Sequence, residues 1–336
     1  MTQIPHPSRR HALVSIGSGL AASPSLIALP AYAQTQAYPN KPIRLIVPVA
    51  AGGGSDFIAR QVSDRLARGL GGSIVVENIS GGGGVVACQT LARAAPDGYT
   101  LMQSYVATHG TSPAVRKLPY DAIADFSPIG MIGGTPNVLV VPTGLPVNSA
   151  KEFIDYAKKN VGKLSYGSAG QGSLTHLAME QLKAAAGIFA VHVPYRGIAP
   201  AINDMFTGST QAMMPGLAAA TPHLQGGKLK ALAVTGKQRH PNFPNVPTLE
   251  ELGFKGFDGI QWYGLSGPAK MPAEIVNRIN AELGKVIAAP DFKQRLAAEA
   301  VEPMPMSAEA FGAYIAEDIS RWKRVVIERK IEIENS

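Results

Sequence analysis

The chain has 336 residues, 46% hydrophobic and 16% charged, with a formal net charge of +7 and one cysteine. That composition supports a large packed core, favours two domains over one, and leaves no case for disorder beyond the ends. The basic balance favours anionic ligands, but Lys and Arg nowhere cluster with interleaved aromatics, so nucleic acid is excluded as a partner. Cys88 has no partner for an intramolecular disulfide and is expected as a small buried residue on a helix.

Residues 1–33 carry the marks of an export signal: Arg9 and Arg10, no acidic residue, an apolar stretch broken by Ser, Gly and Pro, and the small-residue cleavage signature Ala31-Tyr32-Ala33. The arginine pair looks like a twin-arginine signal, with an ordinary secretory signal as the alternative. The mature chain is expected to begin at Gln34 and to be soluble in the periplasm. No later stretch approaches the roughly 20 continuous apolar residues of a membrane span.

From there strands and helices alternate, the pattern of α/β layers with mostly parallel sheets. Ile43 to Val49 is a β-branched run, followed by three glycines and a helix over Phe57 to Arg68 with Ile58, Val62 and Leu66 at i, i+4 spacing. A second cycle runs from Ile74 to Ile79 through "SGGGG" to a helix over Val85 to Ala95, and Thr100 to Val106 is a third strand. "PNVLVVP", Pro136 to Pro142, is expected as an extended crossing segment because proline stands at both ends.

The unit then restarts. Ser149-Ala150-Lys151-Glu152 fits a capping box for a helix to about Asn160. Leu164 to Ser168 is a strand, "GSAGQGS" a small-residue loop, and Leu174 to Ala186 a helix. Strands at His192 to Tyr195, Thr210 to Met214 and Ala231 to Thr235, with a helix over Pro200 to Thr207, complete the second body. A strand at Gln261 to Ser266, a helix bearing Ile275, Ile279, Leu283 and Ile287, and a closing helix from Ala308 bearing Phe311, Ile315, Ile319 and Trp322 return to the first. The expected organisation is therefore a discontinuous lobe 1, 34–139 plus 260–336, and a lobe 2 at 140–259.

Glycine loops before helices leave the first backbone N–H groups open to an anion. "GGGSD" lacks the Lys-Ser/Thr ending of a phosphate loop, and "GSAGQG" does not space its glycines as dinucleotide loops do, which leaves carboxylate as the simplest anion. Asp56 would repel an anion and is expected to cap its helix or hold the loop. Arg196 has two open roles, pairing with a ligand carboxylate or forming a surface ion pair. His176 and Glu180 sit at i, i+4 without a second histidine motif, so no metal site and no cofactor are expected.

Taken together, "YPNKPIRLIVPVAAGGGSDFIAR", "GGSIVVENISGGGGVVACQTLARAAPDGYTL", "LPYDAIADFSPIG", "GKLSYGSAGQGSLTHLAMEQLKAAAG", "HVPYRGIAPAINDMFTG" and "PNVPTLEELGF" closely resemble the extracytoplasmic solute receptors of the tripartite tricarboxylate transporter family, the Bug receptors. The resemblance spans about Tyr38 to Lys330. It implies a type II periplasmic-binding-protein fold, two α/β lobes joined by crossing strands, closing on a small organic acid that passes to a membrane permease. It implies no enzyme activity and no cofactor, and a monomer is expected. Its site positions fall here on Ala51, Gly52, Gly53, Gly54, Ser55 and Asp56, on Ser104, Thr108 and His109, on Ser168, Ala169, Gly170, Gln171, Ser173 and His176, and on Tyr195, Arg196 and Gly197.

Two departures from the family pattern stand out. Ala50-Ala51 replaces two prolines before the glycines, and Pro215-Gly216 replaces an acidic residue that can face the ligand. The second change disfavours an amino acid and leaves room for a bulkier acid, an aromatic dicarboxylate such as terephthalate among them. Two other functions compete: a ligand-sensing adaptor that docks a sensor kinase, and a secreted serine hydrolase using Ser112, in a segment one residue short of the G-x-S-x-G elbow.

Overall fold

The computed structural model describes residues 38–52 and 54–331. The export signal at 1–33, the start at Gln34 and the site position Gly53 lie outside the described residues.

The β-branched run forms β1 (Ile43–Val47), and the following helix α1 (Gly54–Leu70) starts earlier than its apolar periodicity predicts, so Ser55 and Asp56 occupy its first turn instead of a loop. β2 (Ile74–Asn78), α2 (Val85–Ala92), β3 (Thr100–Tyr105), a π-helical turn at Ala107–Thr111 and the short α3 (Ser112–Val115) follow. Cys88 is fully buried on α2, as expected. β4 (Phe126–Pro136) ends where β5 (Val138–Pro142) begins.

The second body contains α4 (Ala150–Lys159), β6 (Ser165–Ser168), α5 (Leu174–Ala186), β7 (Val191–Pro194), α6 (Ile198–Phe206), β8 (Ala212–Met213), α7 (Leu217–Gln225) and β9 (Leu229–Val234). The chain then returns through β10 (Ile260–Pro268), α8 (Ala273–Ala288), α9 (Pro290–Ala298), β11 (Glu302–Pro303) and α10 (Ala308–Glu328).

Two sheets result. The first has the order β11-β4-β10-β3-β1-β2, with β1 parallel to β2 and β3, and β10 antiparallel to β3 and β4. The second has the order β7-β6-β8-β5-β9, with β6 parallel to β7 and β8 and β5 antiparallel to β8 and β9. Successive side chains of a strand face opposite ways. Leu45 and Val47 accordingly pack with α1 and α8, while Ile46 packs with α2 and α10. The second sheet repeats the device: Leu139 and Val141 face α4 and α5, and Val138 and Val140 face α6 and α7. Each large side chain so buried stabilises the fold by about 1.5–3 kcal/mol.

Sequence periodicity misses β4, whose "FSPIGMIGGTP" has the composition of a loop. Its glycines are there because neighbours leave no room. A Cβ on Gly133 would stand 2.5 Å from the Glu302 carbonyl oxygen, and one on Gly134 would stand 2.7 Å from Ile260 Cδ1. α7 is missed as well, since Pro222 lies inside it and cannot donate to the preceding turn.

The crossings between the sheets are tied together. Asn137, fully buried between β4 and β5, donates its N–H to Thr235 Oγ1 at 2.8 Å and its amide to the Met214 carbonyl at 2.6 Å. Thr235 Oγ1 in turn donates to the Gly259 carbonyl at 2.9 Å, just before β10. Trp262 lies wholly in the core, its indole N–H bonded to Asp318 of α10 at 2.8 Å.

Candidate functional site

At the end of β1 the chain turns through Ala51 and Gly52, both exposed, into α1. The brace of this turn is Asp56, only 4% exposed. Its Oδ2 accepts from Gly52 N and Arg60 Nε, each at 3.0 Å, and its Oδ1 from Asn78 Nδ2 at 2.9 Å. Asn78 also donates to the Val49 carbonyl at 3.0 Å, so the end of β2 clasps both sides of the turn. Burial opposes ionisation of Asp56, but the hydrogen bonds from Arg60, Gly52 and Asn78 outweigh it and hold its carboxyl below the ordinary value. Asp56 therefore holds the loop, and the Gly52 N–H is already taken up by it.

What the loop leaves open is the start of α1 at Gly54 and Ser55, where first-turn N–H groups have no intrahelical partner. Ser55 Oγ donates to Gln103 Oε1 at 2.8 Å. Gln103 is fully buried, and its Nε2 has no partner among the described residues. A buried donor without an acceptor costs about 1–3 kcal/mol, so this amide is poised for one. Gln103 is absent from the sequence expectation because, on a β-strand, it looks like an ordinary core-edge polar residue.

The neighbouring residues predicted for the same lobe turn inward. Ser104 is fully buried and shares a hydrogen bond of 2.9 Å with Ser266 on β10. His109 is also fully buried, packs edge-on against Phe126 at 4.7 Å and meets Thr108 Oγ1 through Nδ1 at 2.9 Å. Burial pushes its pKa down to about 3, so the ring is neutral at pH 7. Thr108 donates to the Tyr105 carbonyl at 3.0 Å. All three side chains are fully buried and bonded within lobe 1.

The second glycine run surrounds an arginine. Gly81 to Gly84 all adopt positive φ, and Arg116 Nη2 donates to the Gly82 carbonyl at 3.2 Å and to Ser112 Oγ at 3.3 Å. Side chains here would collide with what the glycines accommodate: a Cβ on Gly83 would stand 2.9 Å from Arg116 Nη2, and one on Gly84 2.5 Å from Thr108 Cγ2. Ser112 accepts from Arg116, and among the described residues no histidine is bonded to it.

In the second lobe, β6 ends at Ser168 and the loop to α5 is closed by its own side chains. Ala169 N donates to Thr175 Oγ1 at 2.8 Å, Gly170 N to Ser168 Oγ at 3.1 Å and Gly172 N to His176 Nδ1 at 3.2 Å. Ser173 caps α5, accepting from His176 N at 3.4 Å and donating to the Gly170 carbonyl at 2.6 Å. Gln171, half-buried, lies in the same turn. The sequence expectation of open N–H groups thus does not hold for Ala169, Gly170 and Gly172.

Behind the loop, Tyr166, His192 and His176 form a stack, with ring centroids 4.9 Å and 4.0 Å apart. His192 also meets Ser168 Oγ at 2.6 Å through Nε2. Burial, aided by Lys183 for His176 and by His176 for His192, lowers both pKa values to about 4. His192 is another supporting residue that sequence alone treats as a plain strand position.

Tyr195 lies against the same loop: a Cβ on Gly170 would stand 3.2 Å from the Tyr195 carbonyl oxygen. Its hydroxyl donates to Asp204. Arg196 is exposed and makes no hydrogen bond or ion pair among the described residues, while Gly197, at φ 126°, leads into α6. Pro215 is buried, its carbonyl accepting from Val138 N at 2.9 Å, so it supports the crossing. The lobes touch at the start of α5, where Leu174 and Leu177 pack with Trp262 and Trp322, and where a Cβ on Gly172 would stand 3.1 Å from Val115 Cγ2.

A cavity of about 550 Å³ on lobe 2, lined in part by Thr143, Phe206, Gln211 and Lys228, opens beside the start of β8. The candidate loops follow the ends of β1, β2 and β6, so that cavity is separate from them. Among the described residues no group of three or more His, Cys, Asp or Glu side chains could hold a metal ion, and no helix is long and apolar enough to cross a membrane.

Two α/β lobes joined by paired crossings define a two-lobed binding protein of type II architecture. Residues 58–331 match the family model described as the tripartite tricarboxylate transporter family receptor, and the chain belongs to that family. An R. palustris protein solved with adipate is 32% identical, with 88% of this chain and 99% of that one covered and a TM-score of 0.84. The periplasmic binding protein BugD is 33% identical over 88% of this chain and all of its own, with a TM-score of 0.82. MatC from Rhodopseudomonas palustris, with bound malate, is 31% identical over 86% and 100%, with a TM-score of 0.81. The resemblance and fold expected from the sequence are both borne out, and the family is one of solute-binding receptors and not an enzyme class.

Proposed function

We propose that this protein is a periplasmic receptor that captures a small mono- or dicarboxylate between its lobes and delivers it to a tripartite tricarboxylate-type permease. Lobe 1 is 34–139 plus 260–336 and lobe 2 is 140–259. The observation that carries this is family membership combined with similar structures that hold adipate and malate. The geometry supports it: the first turn of α1, Ser55 and the unpartnered Gln103 amide offer donors from lobe 1, and Arg196 offers an unpaired cation from lobe 2. The positive ends of α1 and α5 add a field that favours an anion.

A thermal-shift screen of the chain from Gln34 tests it, with citrate, malate, glutamate, adipate, phthalate and terephthalate. A ligand at about 100 times its Kd stabilises the native state by about 2.7 kcal/mol. At about 2–4 °C per kcal/mol for a chain of this size, the melting temperature rises by roughly 5–10 °C. No shift with any acid removes the carboxylate assignment. Uptake of the bound acid that requires both receptor and permease supports the transport role, whereas ligand-dependent capture of a sensor kinase without uptake reassigns the partner.

A further inference from the structure

Arg116 has a cation's needs and no anion to meet them. Its Nη2 is held by two neutral acceptors, the Gly82 carbonyl and Ser112 Oγ, and no acidic side chain among the described residues pairs with it. Its Nε is buried and has no hydrogen-bond partner. The side chain is half-buried: Nη2 meets its acceptors near solvent, and Nε alone is shut off from water without a partner, a donor that a carboxylate could satisfy. The surroundings are shaped around it. Gly83, at φ 69°, leaves the space beside Nη2 that a Cβ would fill at 2.9 Å, and a Cβ on Gly172 would stand 4.0 Å from Nε. The first of these glycines belongs to lobe 1 and the second to the loop of lobe 2. Arg116 is therefore at the junction of the lobes.

We propose that Arg116 is a specificity residue of the binding cleft, pairing with a second carboxylate of the solute and so selecting dicarboxylates over monocarboxylates of the same size. The proposal rests on the receptor function above. The α1 start and the Gln103 amide take the first carboxylate, and the Arg116 guanidinium, held in place by Gly82 and Ser112, takes the second with its remaining N–H groups. Arg196, exposed on lobe 2, lacks such a setting and is not required for this selection.

The test is calorimetry on wild type, Arg116→Gln and Arg116→Lys with two acid pairs that differ by one carboxyl: adipate with hexanoate, and terephthalate with benzoate. Losing a charge-assisted pair weakens binding about 10- to 100-fold. Arg116→Gln is expected to lose that much for the bound dicarboxylate, to change the monocarboxylate by less than about threefold, and so to collapse the preference. Arg116→Lys, which keeps the charge without the fork, falls between; it also stands in for the Gln variant if that variant does not fold, as its unliganded melting curve shows. An equal loss for both members of a pair, or no loss, overturns the proposal while leaving the receptor function intact. Wild-type protein that binds neither dicarboxylate of these pairs overturns the proposal, and the carboxylate function falls with it only if no acid of the thermal-shift screen binds either.

Discussion

Replacing Asp56 by Ala tests whether the first glycine loop is held by a charge. The carboxylate is 4% exposed and accepts from Gly52 N and Asn78 Nδ2 as well as Arg60. Hydrogen bonds to an ionised acceptor contribute about 1.5–3 kcal/mol each. Asn78 keeps its second acceptor, the Val49 carbonyl, and Gly52 is exposed and regains water, so neither donor is stranded. The expected loss is therefore near the lower end, about 2–3 kcal/mol in urea denaturation at pH 7, with weaker binding of the bound acid because the start of α1 is no longer fixed. The pH dependence has a definite sign. Asp56 has a folded pKa below its ordinary 3.8, so its contribution is complete above that value and is lost as pH falls through the folded pKa. The gap between wild type and Asp56→Ala should thus close below about pH 3.8. Equal stability at pH 7, or a gap that does not change with pH, would refute the brace.

Three further outcomes follow from the same geometry. His176 and His192 titrate near 4 in the native state against an ordinary 6.5, so the unfolded chain binds protons that the stack refuses: stability is full above pH 6.5 and declines toward pH 4. His192→Gln should flatten part of that slope in denaturation midpoints measured from pH 7 to 4.5, and an unchanged slope would show that the stack is not responsible. Gln103→Leu removes an unpartnered donor and Ser55's acceptor together, so stability should move by less than about 1 kcal/mol while carboxylate affinity drops about tenfold; unaltered affinity would place Gln103 outside the site. Gly83→Ala forces a Cβ onto a left-handed residue 2.9 Å from Arg116 and should cost about 1–2 kcal/mol in the same denaturation assay, a loss that Arg116→Gln does not relieve if backbone strain dominates.

Much of the frame was legible because local chemistry dictates it. α5 runs over Leu174–Ala186 as its pattern predicts, and Ser149 caps α4 by accepting from Glu152 N at 3.1 Å. The reciprocal arm of that capping box goes to Asn148 N instead of Ser149 N, a shift no residue pattern encodes. Asp56 was recognisable as a loop holder because a carboxylate before an anion site has few other uses. β4 was illegible because its glycines answer to Glu302 and Ile260, residues more than 100 positions away in sequence. Ser104 and His109 were named through the family resemblance, and sequence does not show that their side chains turn inward to Ser266 and Phe126. Arg116 and Gln103 were overlooked for the same reason: a long-range hydrogen bond and an unsatisfied amide exist only once Gly82, Ser55 and their partners are brought together.

The division between backbone and side chains has a consequence for selectivity. The lobe 2 loop satisfies three of its own N–H groups with Thr175, Ser168 and His176, and the lobe 1 loop commits Gly52 N to Asp56. Loops fixed in this way need little ordering when a ligand arrives, which removes one cost of binding. They also offer few free donors, and those few sit at helix starts that attract any carboxylate alike. Discrimination between acids must then come from groups that are held but unmatched, and the structure has Gln103 and Arg116 in that condition on lobe 1. A receptor of this build gains its affinity from rigid loops and its choice of acid from a small number of side chains, so exchanging Arg116 should alter which acid binds far more than whether the lobes fold.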